Sequence, residues 1–223
     1  MPYLHGTYGE FNKSIGLVPV ATDTIPVYVG VAPVNLVKNY AEIGNVNAPL
    51  RVTSMTGVQS NFGYSADWSK FSLCEAFAAH FQNSIENVSP IVVINVLDPA
   101  THKKTEATTK EVTFVNGRAE IASDTIILDT LALADKVEGT DYTVDYDYTR
   151  GVVILTDISV TPLTNVNATF SEVDVSKITE TNIIGGVTAE GVYTGLGCVG
   201  LVYPELGLIP NIIAAPGYSD KVS

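Results

Sequence analysis

Apolar positions along this chain gather in short runs rather than in long helical stripes. Ile25-Pro26-Val27-Tyr28-Val29-Gly30-Val31-Ala32-Pro33 is β-branched and aromatic, and Ala32-Pro33 stops it, so it reads as a strand. Leu50 to Thr53 forms another short strand. Beyond Phe62-Gly63 a helix is predicted over about 67–83, with Asp67 or Ser69 as its cap. Trp68, Phe71, Cys74, Phe77, Ala78 and Phe81 recur at three-to-four spacing and predict one aromatic-rich core face. Pro90-Ile91-Val92-Val93-Ile94-Asn95-Val96-Leu97-Asp98-Pro99 has the composition of a strand buried on both faces. Strand, helix and strand in that order predict an α/β layer.

The pattern changes after residue 99. Thr101-His102-Lys103-Lys104-Thr105 is a polar loop, and Asn116-Gly117 between two alternating runs is a strong hairpin signal. An apolar run follows from Thr125 to Leu131. Residues 140–147 alternate, Thr149-Arg150-Gly151 turns, and Val152-Val153-Ile154-Leu155 returns. A last strand is predicted over 167–175. Short strands at close spacing without helices predict a β-rich module here.

From Ser176, read as a cap, a helix runs to about Ile184 and meets the glycine-rich run 185–195. A further helix over about 195–205 ends at Gly207, which can close it in the left-handed conformation, and Pro210 prevents its continuation. Asn211-Ile212-Ile213-Ala214-Ala215 then reads as a strand buried on both faces, stopped by Pro216-Gly217. A central strand needs neighbours that the few following residues barely supply. The first 24 residues mix polar and apolar positions without helical period. Tyr8-Gly9-Glu10-Phe11 and Ile15-Gly16-Leu17-Val18-Pro19-Val20 suit an extended arm able to add to another sheet.

Composition narrows the function. Of 223 residues 46% are hydrophobic, enough for a packed core. Twelve basic against 24 acidic residues give a net charge of −12, which argues against sequence-independent nucleic-acid binding. No run of about 18 apolar residues predicts a membrane span, and the N-terminus lacks the basic and apolar regions of a secretory signal. Cys74 and Cys198 read as reduced core residues, and the Asn-x-Ser/Thr sequons at Asn12, Asn87 and Asn167 as chance.

Candidate chemistry is sparse. Gly195-Leu196-Gly197-Cys198-Val199-Gly200 matches the G-x-G-x-x-G spacing, with Asp220 beyond it, but the fingerprint needs a strand before it and a helix after it. Asp141, Asp145 and Asp147 share one strand face opposite Tyr142, Tyr146 and Tyr148, and an amphipathic hairpin explains them better than a calcium site. His5, His80 and His102 stand in unrelated contexts, with no nucleophile–histidine or metal-ligand spacing. The expectation is a non-enzyme without cofactor or metal.

The segment Pro210-Asn211-Ile212-Ile213-Ala214-Ala215-Pro216-Gly217-Tyr218-Ser219 resembles the junction in contractile tail sheath proteins of bacteriophages, phage-tail-like bacteriocins and related contractile injection systems. Val29-Gly30-Val31-Ala32 is similar to the family's early strand. Asp98-Pro99 is similar to the point where a sheath chain leaves its core for an inserted domain. The resemblance implies an α+β fold: an α/β core with an inserted small all-β domain and an extended N-terminal arm. The boundaries would be an arm over 1–24, core over 25–99, insertion over 100–175 and a return to the core over 176–223. In the family the portion opened by this junction runs on well past it, so only the N-terminal portion would be covered here and the return truncated.

The resemblance further implies a homo-oligomer of rings stacked helically around an inner tail tube protein above a baseplate, contracting to drive the tube through a target envelope. Tyr8, Gly9, Glu10, Phe11, Ile15, Leu17, Val18 and Val20 would link subunits. Assembly would occur in the bacterial cytoplasm, followed by residence in a virion tail or a released particle, without nucleic acid or membrane insertion. Two other classes stay open: a nucleotide-binding enzyme using Gly195–Gly200, and a carbohydrate- or receptor-binding β module over 100–173.

Overall fold

The computed structural model describes residues 25–83 and 88–218. The first run of elements is β1 (Pro26–Gly30), α1 (Tyr40–Ile43), β2 (Pro49–Val52), α2 (Met55–Phe62), α3 (Leu73–Phe81) and β3 (Ile91–Asn95). Six strands follow: β4 (Thr108–Thr113), β5 (Arg118–Ala122), β6 (Ala132–Leu133), β7 (Tyr142–Asp147), β8 (Val152–Asp157) and β9 (Asn165–Phe170). The last run holds α4 (Glu180–Ile184), β10 (Gly186–Val187), β11 (Tyr193–Thr194), α5 (Val202–Leu206) and β12 (Ile212–Ala214), with a 3-10 helix over Gly195–Leu201. The fold is α+β.

A mixed four-stranded sheet in the order β12-β1-β3-β2 organises the body. β1 runs parallel to both β3 and β12, and β2 runs antiparallel to β3. Every residue of β3 is buried, as its unbroken apolar run predicts. α3 lies over the face bearing Tyr28, whose hydroxyl meets His80 Nε2 at 2.8 Å. His80 Nδ1 faces the Val88 carbonyl at 2.7 Å, so Nδ1 carries the proton and Nε2 accepts from the tyrosine. Val27 and Val29, on the opposite face, are equally buried, and the Gly195–Leu201 segment packs against β1, β2 and β3. One hydrophobic cluster joins these layers, from Val27 and Ile91 through Phe77 and Phe81 to Cys198 and Val202. Cys74 and Cys198 are both buried and unpaired, and burial pushes their thiols up to about 12 and about 11.

Helix boundaries depart from the sequence expectation. α3 begins at Leu73, because Asp67 to Phe71 form turns and Ser72 Oγ is taken by the Val31 amide at 3.3 Å. Trp68 therefore leaves the predicted core face and is 45% exposed, while Ala76 rather than Ala78 is buried. α2, which the pattern does not announce, exists because Ser54 caps it by accepting from the Gly57 amide and because Val58 and Phe62 enter the core. The cap of α4 is Thr179, in a reciprocal capping box with Asn182, rather than Ser176. The predicted 195–205 helix is a 3-10 stretch that becomes α-helical only at Val202, and Gly207 closes it with φ 67° as expected.

Residues 108–170 form two antiparallel three-stranded sheets, ordered β4-β9-β6 and β5-β8-β7. Asn116 and Gly117 both take positive φ, and Val115 and Arg118 exchange backbone hydrogen bonds across them, as a tight turn requires. Beyond the turn, however, β4 pairs with β9 and β5 with β8, so the predicted hairpin opens into two sheets. The β7–β8 hairpin forms as expected. A second cluster, including Val112, Ile121, Leu133, Tyr142, Leu155 and Phe170, fills the space between the sheets. The run from Thr125 to Leu131 is irregular and contains a 3-10 turn at Leu128–Thr130.

Replacing Phe77, fully buried under the sheet, by alanine should destabilise the chain by about 3–5 kcal/mol. Trp68→Ala should cost no more than about 0.5 kcal/mol. Urea denaturation of both variants checks the corrected helix register.

Candidate assembly surface

The residues of the predicted family motif converge on one sheet edge. Gly207 N donates to Tyr203 O at 2.9 Å, ending α5, and Asn211 N donates to Ile25 O at 3.3 Å, bringing the chain beside β1. β12 then pairs in parallel register, Ile212 with Pro26, Ile213 with Val27 and Ala214 with Tyr28. Gly217 takes φ 76° in the following turn, where Tyr218 N donates to Ala215 O at 3.0 Å.

Within the described residues this strand is not buried on both faces. β12 closes the sheet order, so among the described residues β1 is its only partner. Ile212 is 49% and Ile213 53% exposed, and Ile209 just before them is 68% exposed. Pro210, Ala214, Ala215 and Pro216 are half-buried, and Asn211 and Gly217 are exposed. Among the described residues no strand pairs with the far side of β12, and the edge of a sheet is the place where a further strand adds.

Apolar exposure is concentrated nearby in sequence. Of fourteen exposed large apolar residues described, eight lie between Ile184 and Ile213. Val187, Val192 and Tyr193 belong to the β10–β11 hairpin, and Tyr203 to α5. The glycine-rich composition of 185–195 gives no hint of this surface, because a two-stranded hairpin is too short to show a period. The linking-arm residues Tyr8, Gly9, Glu10, Phe11, Ile15, Leu17, Val18 and Val20 lie outside the described residues.

The glycine motif at 195–200 does a different job from phosphate binding. It follows a two-residue strand and opens a 3-10 helix rather than an α-helix. Gly195 has φ 53°, and a Cβ there would lie 2.4 Å from Ile183 O and 2.5 Å from Asn182 O. A Cβ on Gly197 would lie 2.6 Å from Gly186 O. These glycines let backbone approach backbone, and the Gly195 amide is already donated to Asn47 Oδ1 at 2.9 Å.

The other candidates resolve into local structure. Asp141 Oδ2 accepts from Val137 N at 2.8 Å, Asp145 Oδ1 from Tyr146 N at 2.8 Å, and Asp147 Oδ1 from Thr149 N at 2.9 Å. Each carboxylate thus serves its own strand or turn. Among the described residues no group of three or more His, Cys, Asp and Glu could hold a metal. An open cleft of about 570 Å³ is lined by Asp98, His102, Thr181 and Asn182, among others, but by no serine, cysteine or lysine. His102 Nδ1 faces the Asp98 amide and carbonyl within its own turn. Among the described residues of 100–173 no aromatic is fully exposed, and Tyr148 is half-buried. No described helix is long and apolar enough to cross a membrane.

No protein-family model matches the chain. The chain is similar to a tail sheath protein of the Burkholderia phage BcepMu, with 33% identity over 217 residues that cover 90% of this chain. This similarity supports the resemblance to phage tail sheath proteins read from the sequence. The match spans 43% of the length of that relative.

Gly195→Ala should destabilise the fold by about 2 kcal/mol or more, through its left-handed φ and two carbonyl contacts. Gly200→Ala, with nothing within 4 Å of the added Cβ and no positive φ, should change stability by about 1 kcal/mol or less. Thermal melts of both, with and without NAD, check the packing role: dinucleotide should shift neither.

Proposed function

We propose that this chain is part of a contractile tail sheath subunit, a structural protein rather than an enzyme. The observation that carries the reading is the 33% identity to a phage tail sheath protein across nearly the whole chain. In this reading subunits polymerise helically around an inner tail tube, engage a baseplate, and rearrange together to drive the tube through a target envelope. Their place is the virion tail. Residues 25–99 and 176–223 belong to the core, residues 100–175 form an inserted β-rich domain, and residues 1–24 serve as the arm.

The described structure supports the reading at two points. The sheets of 108–170 enclose a hydrophobic cluster that, apart from Leu36, comes from residues 112–170, as an inserted domain would. β12, at the end of the described sheet order, suits strand addition, in which main-chain hydrogen bonds supply affinity and side chains supply register. The arm segment Ile15, Leu17, Val18 and Val20 has the apolar content that such an edge would accept from a neighbouring subunit. Head-to-tail contacts of this kind are heterologous and generate a helical tube rather than a closed dimer.

Negative-stain electron microscopy of the full-length source protein should show ringed hollow tubes. Deletion of residues 8–20 should leave folded subunits and no tubes. Dispersed particles at high concentration from the undeleted protein would sink the reading.

A further inference from the structure

The chain crosses between the body and the two β-sheets twice, and the crossings run side by side. Lys103 bridges Val173, Lys104 N donates to Glu172 O at 2.8 Å, and Asp174 N donates to His102 O at 2.7 Å. Beside them runs the loop that follows β5: Val173 N donates to Thr125 O at 2.8 Å, and Ile126 bridges Glu172. Three segments distant in sequence therefore meet in one neck.

A single carboxylate gathers all three. Glu172 Oε2 accepts from Lys104 Nζ at 2.9 Å and from Thr108 Oγ1 at 3.1 Å, and Oε1 accepts from Thr125 Oγ1 at 2.8 Å. Burial alone would push this carboxyl up, but the donors from Lys104, Thr125 and Thr108 together hold it below its usual value. Next to Thr125, Asp124 carries the contact onward to the body. Its carboxylate accepts from Ser65 Oγ at 3.0 Å and Lys70 Nζ at 3.2 Å, and its carbonyl from Asn35 Nδ2 at 3.0 Å. Ile127 and Val173, flanking the neck, insert into the body cluster rather than into the cluster between the sheets.

We propose that Glu172 is a latch: it closes the neck and, through Thr125, holds the Asp124 loop against the body. Without it the neck and the Asp124 loop loosen from the body while each part keeps its own core, because apart from Leu36, Ile127 and Val173 the buried members of the two clusters divide between body and sheets, with Tyr148 packed against both. This inference does not depend on the sheath reading, since it concerns the folded subunit alone.

Hydrogen exchange read by mass spectrometry on the intact chain tests it. Glu172→Ala should accelerate exchange in peptides covering 101–108, 123–127 and 171–175 by roughly tenfold, the loss expected for hydrogen bonds to a charged group. Exchange in β3 and in the β7–β8 hairpin should stay within about twofold of the parent chain. Glu172→Gln, which keeps an acceptor for the threonines, and Lys104→Ala should each give a smaller rise confined to the same peptides. Trypsin should cut faster after Lys103 in Glu172→Ala. If Glu172→Ala fails to fold, the Glu172→Gln result decides alone. Unchanged neck exchange in the folded Glu172 variants, or a rise of equal size in β3 and β7–β8, overturns the latch.

Discussion

Parallel pairing of β1 with β3 is the constraint on which the remaining structure depends. Two parallel neighbours cannot be joined by a tight turn, so the chain between them must cross over one face of the sheet. Here that crossing carries α2 and α3 across, and it also drops β2 onto the outer side of β3 in antiparallel register. The join is tight at its carboxyl end. Asn95, fully buried, accepts the Ala32 amide at 2.9 Å and the Leu97 amide at 3.0 Å, and donates to the Leu97 carbonyl at 2.9 Å. Gly30 completes the fit, because a Cβ there would lie 2.7 Å from Ser72 Oγ, at the point where the chain turns into α3. A larger residue would push that turn away from β1.

Once β1 and β3 are fixed, the β-rich part has one place to sit. Asn35, buried in the turn after β1, donates to the carbonyls of Asp124 and Ile126. Tyr148, from the turn between β7 and β8, reaches the carbonyls of Leu36 and Gln59, both at 3.1 Å. Leu36 in return enters the cluster between the two sheets. Surface pairs such as Lys38 with Glu138 add little beside these, since exposed ion pairs contribute ~0–1 kcal/mol each. Beside the Glu172 neck, these side-chain donors with fixed carbonyl partners set the docking, because leaving them unpaired would cost more than the surface charges return.

The central strands were legible in the sequence because burial on both faces leaves an unbroken apolar run, as in Ile91 to Ile94. The Asn116-Gly117 turn was legible because its positive φ values restrict residue choice, yet which strands paired beyond it depended on contacts with β8 and β9 that no local signal carries. Trp68 shows the weakness of spacing arguments. Its position fits the α3 stripe, but the helix starts after it, and a stripe predicts burial only where the helix exists. At β12, Ile212 and Ile213 read as interior from apolar composition, and among the described residues they pair only with β1 and stay half-exposed. The glycines at 195–200 mislead in the same way, since close backbone packing and phosphate binding select glycine for the same lack of a side chain.

An exposed apolar edge is normally a hazard, and chains that stay apart blunt it with charge, proline or a cover. Among the described residues β12 is blunted by proline at its ends. Pro210 and Pro216 bracket it and remove two donors, which limits any added strand to a few residues of pairing. Main-chain hydrogen bonds over so short a length supply little affinity, so the side chains of Ile209, Ile212 and Ile213 must supply most of it. Under the proposed function this division has a consequence for timing. A single subunit presents an edge too short to capture strands at random. A lattice that offers many arms at high local concentration fills the same edge through effective concentration rather than through intrinsic affinity. The net charge of −12 acts in the same direction, opposing chance contact between free subunits until specific pairing brings them together.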